Sequence, residues 1–369
     1  MSGGRLTAVF GQLGLTQVRY VSPVRRGAAR GLAGRVYAQV ERDFGVLAPP
    51  VALHSPAPEI MAASWLMLRE VLVVAGDAGR TAKEAVAAAV SRGNTCPWCI
   101  TVHSSTFAGL SGSGLSGSGL SGSGVTDPRL RAIAAWATDS GTEEGALRQQ
   151  PAVTAGQAPE LTGTAVILHY FNRMVNVFLT EVPLPPGVPK MMLRPVMRVL
   201  GRGIQAAAGQ PHQPGASLDL LPAASLPRDV SWAASSPVVA DAFARACGAV
   251  EAAAEHTVPS PVRDLVMTEL GNWHGEPRGP SRAWADGPVA TLPAAHRPAG
   301  RLALLTALAS YQVDRKVVDE FRARGASEGA SEGASEGASD AALIELTSWA
   351  SLAAARRAGT WISAGVSAS

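Results

Sequence analysis

Two of the chain's three cysteines stand in Cys96-Pro97-Trp98-Cys99, and His103 follows four residues after the second. Two thiols at that spacing with an imidazole close by could run a dithiol–disulfide cycle. Pro97 suits the first position of a helix, where its missing N–H has no partner to lose, so Cys96 is expected at the N-cap. At about 100° per residue, Cys96, Cys99 and His103 then fall within roughly 60° of one another around the axis. A thiol in the first turn faces unpaired N–H groups and the positive end of the helix dipole, and its pKa is expected to fall.

Other chemistry is open to the same residues. A Cys-x-x-Cys pair can supply half a tetrahedral zinc site, with His103 and His169 as the remaining ligands, but the chain has no second cysteine pair. Covalent haem attachment needs His directly after the second Cys, where Ile100 stands. A thioredoxin-like motif belongs at a strand-to-helix junction, whereas the Ala-rich segment 81–92 reads as a helix. The third cysteine, Cys247, sits between Ala246 and Gly248 in an apolar helical stretch and reads as a small buried hydrophobe.

The elements that must position the dithiol are helical. Apolar spacing predicts helices over 31–44, 59–75, 81–92, 129–138, 163–179, 301–309 and 317–322, with Gly45, Gly76 and Gly93 as stops. Period-two strand patterns are scarce, so the expected fold is all-α. His169, Asn172, Arg173 and Asn176 share one side of the 163–179 helix and need polar partners, either across helices or in a substrate. The Pro-rich tract 183–189 and the stretch 210–227 read as connections.

Composition narrows the class. In 369 residues, 47% are hydrophobic and 17% charged, which suffices for a substantial core. A net charge of +3 with 5% aromatics and no interleaved Arg/aromatic motif argues against nucleic-acid binding. Three cysteines do not make a disulfide framework, the first twenty residues lack a continuous apolar core, and the longest apolar runs carry Arg69-Glu70 or His169, Asn172 and Arg173. The expectation is a cytoplasmic protein without a membrane anchor.

Two low-complexity tracts punctuate the chain: three copies of Leu-Ser-Gly-Ser-Gly from Leu110 to Gly124, and Gly-Ala-Ser-Glu repeats from Gly325 to Glu336. Both have the composition of flexible linker. After each comes a similar segment: Asp127, Leu130, Ile133, Trp136 and Ala137 match Asp340, Leu343, Leu346, Trp349 and Ala350 at identical spacing. The pattern suggests an internal duplication, with a redox lobe at 20–145, a connecting segment at 146–229 and a second lobe at 230–365. Where the first lobe has its cysteines, the second offers Tyr311, Gln312, Val313 and Asp314.

Glu84, then Cys96-Pro97-Trp98-Cys99, then His103 resembles the Glu…Cys-x-x-Cys-x-x-x-His signature of the AhpD-like alkylhydroperoxidases in the carboxymuconolactone decarboxylase superfamily. The resemblance implies an all-α AhpD-like fold in two tandem lobes, the second a degenerate copy without the motif. It also implies a peroxidase that needs no cofactor or metal, acts on small hydroperoxides and assembles as a homo-oligomer. Cys99 would attack the peroxide, Cys96 would resolve the sulfenic acid to a disulfide, and His103 with Glu84 would relay protons. A dithiol partner, thioredoxin-like or lipoyl-bearing, would reopen the disulfide. Some family members carry a further histidine between the cysteines; Trp98 stands there and could form a hydrophobic wall. Two alternatives remain on the residues alone: a general disulfide oxidoreductase, and a non-enzymatic redox-sensing scaffold. Glu84 also has a structural reading, since Thr81-Ala82-Lys83-Glu84 has capping-box spacing.

Overall fold

The computed structural model describes residues 13–112, 127–148, 151–328 and 338–364, and all regular structure among them is helical. The linker repeats of 113–126 and 329–337 lie outside the described residues. Helix α1, Gly31–Asp43, buries Val36, Tyr37 and Val40 at helical spacing. After a single turn at Pro49–Ala52, α2 runs over Pro58–Leu68 and is buried almost all round. The segment predicted as one helix over 59–75 instead passes into a wide π turn, Arg69–Val73. That turn carries Arg69 and Glu70 inward, where Arg69 bonds Asp43 at 2.7 Å and Glu70 at 2.5 Å. Two charges that interrupt an apolar run in the sequence are thus buried as a paired cluster.

Helix α3, Arg80–Gly93, is tied to the interior by Lys83, whose ammonium meets Glu160 at 2.5 Å and the Val74 carbonyl at 2.9 Å. Helix α4, Pro97–Ser111, starts at the predicted proline with Cys96 as N-cap. Helix α5, Pro128–Asp139, is capped by the Asp127 carboxylate on the Arg129 N–H, and the short α6 spans Glu143–Arg148. The long α7, Gln157–Phe178, begins six residues before its predicted start and is buried along nearly its whole length. Helix α8, Leu193–Ala208, lies in the 146–229 segment between the two tracts read as connections, and rests on α4 and α1.

The second half contributes α9 (Pro237–Thr257), α10 (Ser260–Gly271), α11 (Arg297–Ala309), α12 (Arg315–Glu328) and α13 (Asp340–Ala364). Asp340 opens α13 differently from the way Asp127 opens α5. Ser339 takes the capping bond, to the Ala342 N–H, while Asp340 pairs with Arg322 and accepts the Ser22 N–H. Helix α7 is the axis of the molecule, packed by α13 on one side and α3 on another, so both halves share one continuous apolar core. No helix among the described residues is long and apolar enough to cross a membrane.

Candidate active site

The dithiol lies where α3 turns into α4. Gly93 permits the turn, because a Cβ there would stand 2.2 Å from the Thr138 carbonyl oxygen of α5. Two residues on, Thr95 is held at φ +50°, a left-handed conformation costly for a β-branched residue. The turn is clamped by the Asn94 N–H on the Val90 carbonyl and the Cys96 N–H on the Ser91 carbonyl, each at 2.9 Å. Cys96 is extended at φ −102°, and its own carbonyl accepts the first helical bond of α4, from the Ile100 N–H.

Cys96 and Cys99 are free thiols, both buried, with their sulfurs 2.7 Å apart and Cys96 donating to Cys99. The helix-terminus argument predicts a lowered thiol pKa; for Cys99 the structure reverses it. Burial pushes the Cys99 thiol well up, and the adjacent Cys96 adds to the rise, while the Asn172 amide beside it pulls weakly the other way. Desolvation of a charge inside the core outweighs the partial charge of one helix end.

His103, one turn after Cys99, directs Nδ1 to Glu84 Oε2 at 2.8 Å. The other Glu84 oxygen takes Arg80 Nε at 2.9 Å. Burial alone would raise the Glu84 carboxyl, but the charges of Arg80 and His103 and their hydrogen bonds outweigh it and hold the group below its ordinary range. The capping-box alternative does not form: α3 starts at Arg80 with Gly79 as N-cap, and no side chain caps it. Arg80 escaped the sequence reading, although its spacing four residues before Glu84 is the ordinary ion-pair interval on a helix.

Cys99 and His103 share the wall of an apolar cavity of about 40 Å³, lined also by Phe44, Trp98, Phe171 and Val175. A second apolar cavity, about 60 Å³, shares Phe44, Ala48, Trp98 and Val102 with the first and extends beneath α8 to Met197 and Leu200. Trp98 lines both, held by its indole N–H on Gln17 at 3.0 Å. Pro183 and Pro185, read from sequence as plain connection, line the outer cavity. Cys96 does not reach either cavity wall.

Three residues of the polar face of α7, His169, Asn172 and Asn176, bond across helices. Asn94 Nδ2 bonds Asn172 at 2.9 Å and His169 Nδ1 at 3.0 Å, Asn172 donates to Ser91, and His169 Nε2 faces Ser140 at 3.2 Å. Burial, aided by the Arg173 charge, pulls His169 down to about 3, so it is neutral and not directed at the sulfurs. Among the described residues no group of three or more His, Cys, Asp and Glu side chains is placed to hold a metal ion. Cys247 is buried at the middle of α9, and burial pushes its thiol up to about 12.

No family model matches the chain. It is similar to a protein of Mycobacterium tuberculosis named alkyl hydroperoxide reductase, with 36% identity over 353 residues, covering 94% of this chain and 95% of that protein.

Proposed function

Because the chain belongs to the AhpD-like alkylhydroperoxidase family, we propose that it is a thiol-dependent peroxidase that reduces alkyl hydroperoxides through Cys99 and Cys96. The observation that carries this reading is the shared cavity: Cys99 and His103 face the same apolar space, and Glu84 fixes the histidine from behind. A cavity of that size admits a peroxide group, and the apolar space beyond Trp98 suits an alkyl substituent.

With Nδ1 committed to Glu84, His103 has Nε2 left to handle a proton. It takes the Cys99 proton as the hydroperoxide enters, since the buried thiol does not ionise readily by itself. The Cys99 thiolate attacks one peroxide oxygen, an S–O bond forms as O–O breaks, and the leaving alkoxide receives the proton as alcohol. Cys96, 2.7 Å away, then attacks the sulfenic sulfur. The S–S bond forms and water leaves, so two thiols are oxidised per hydroperoxide reduced. A dithiol reductant returns the pair to thiols by exchange. Because both sulfurs are buried, burial favours a dithiol borne on a narrow flexible arm over one set in a broad protein face.

We also propose that 20–145 and 230–365 are tandem copies, the second without redox chemistry. In support, α3–α4–α5 and α11–α12–α13 follow the same order of helix, short connection, helix, linker repeat and aspartate-led helix. Burial of the dithiol weighs against general exchange with protein disulfides. The test is peroxide consumption by the reduced protein: the reading requires Cys99→Ser to abolish it, and a rate no faster than that of a free thiol would favour disulfide exchange instead.

A further inference from the structure

We propose that the cavity between the two halves, lined in part by the Asn94-Thr95 turn that precedes the dithiol, binds a small organic carboxylate through Arg173. The cavity measures about 480 Å³ and lies between Asn172, Arg173 and Asn176 of α7 and Trp273, Ser310 and Tyr311 of the second half. Arg173 is 9% exposed. Its guanidinium is fixed by Nε on the Ala307 carbonyl at 2.8 Å and Nη1 on the His169 carbonyl at 2.7 Å, over the Trp273 ring at 5.7 Å.

Among the described residues Nη2 of Arg173 has no hydrogen-bond partner, and no carboxylate stands within ion-pair distance of the group. The other deeply buried cations are paired, Arg69 with Asp43 and Glu70, and Lys83 with Glu160. Burial draws Arg173 down only to about 10, so it remains a cation at neutral pH. A buried charge normally has a counter-ion; here the open space in front of it is where one fits.

The walls indicate which anion. Asp139 and Glu276 also line the cavity, and both are engaged, Glu276 with the His274 N–H at 3.0 Å and with Arg278 at 3.7 Å. Arg148 lines the cavity as well but is paired with Glu144 at 2.7 Å, so among the described lining residues Arg173 is the cation left to meet an anion; with two acids nearby it favours a monoanion over a dianionic phosphate, and Trp273, Leu308 and Ala309 offer contact to an apolar body. The inference is independent of the peroxidase reading.

Calorimetric titration of the full-length protein with sodium hexanoate, 1-hexanol and inorganic phosphate tests it. Hexanoate is expected to bind one per chain, with hexanol and phosphate each about tenfold weaker or more. Arg173→Gln should lose hexanoate by a similar factor. Asn176→Asp, which adds a negative charge to the wall without touching the Arg173 anchors, should also weaken it, and Cys99→Ser should bind as the wild type does. Hexanol or phosphate binding as tightly as hexanoate, or undiminished hexanoate binding by a folded Asn176→Asp protein, would overturn the proposal.

Discussion

The connections that enter α4 and α12 form a pair worth setting side by side. Each joins an Ala-rich helix to the next helix, and each lines the inter-half cavity, through Asn94-Thr95 and through Ser310-Tyr311. In the second, every polar group serves structure. Gln312 accepts the Trp284 indole N–H and donates to the Gly279 and Ser281 carbonyls, and Asp314 caps α12 on the Val317 N–H while pairing with Arg282. In the first, Thr95 holds a strained φ, two thiols take the capping and first-turn positions, and the preceding helix supplies a buried carboxylate to the histidine one turn later. A helix start becomes a candidate reactive site through what its first turn carries and what the preceding helix supplies; the turn alone is not enough.

Substitutions at matching places in the two connections should have opposite effects. Cys99→Ser is expected to abolish hydroperoxide turnover, whereas Gln312→Ala should leave turnover intact and lower stability by about 1–3 kcal/mol through its unsatisfied partners, read by denaturant unfolding. Turnover that falls with Gln312→Ala and survives Cys99→Ser would reverse the assignment. His103→Ala comes next, with a loss of about 10²- to 10⁴-fold in kcat/KM if it moves the thiol proton. Glu84→Gln should cost less in rate but about 3 kcal/mol in stability, because Arg80 loses its buried partner.

Because the folded Glu84 carboxyl titrates below its ordinary value, its stabilisation is present above the unfolded carboxylate pKa and is lost as pH falls through the folded one. The stability gap between wild type and Glu84→Gln should therefore narrow in acid. Smaller still is the pH effect on rate. With burial raising the Cys99 thiol, the oxidation rate should keep climbing with pH beyond the ordinary thiol value of about 8.5, where a low-pKa thiolate would already have levelled off. Asn172→Ala, which removes the one side chain lowering that pKa, should slow oxidation only a few-fold at neutral pH.

Local signals carried much of this. Pro97, the glycine stops and apolar spacing placed α1, α3, α4 and α5 within a residue or two, because those features act on the backbone where they stand. The Glu84–His103 contact was legible only through a family signature, since nineteen residues and a turn separate the pair. The sign of the Cys99 shift was not legible: it depends on how completely distant parts of the chain, Phe44, Val51 and Leu68 on one side and Leu168 and Phe171 of α7 on the other, close around that end of α4, a tertiary quantity. The same holds for Arg69 and Glu70, which in the sequence only interrupt an apolar run yet pair in the core, and for Arg173, whose lack of a carboxylate becomes visible only when the halves come together.

The central claim is that Cys99 and Cys96 act as one two-electron unit, and stopped-flow oxidation of the reduced protein by an alkyl hydroperoxide, with thiol titration before and after, tests it most directly. Two thiols should be lost per hydroperoxide consumed, and Cys96→Ser should hold a stable sulfenic acid at Cys99. Consumption that leaves the thiol count unchanged, or that proceeds undiminished in Cys99→Ser, would contradict it.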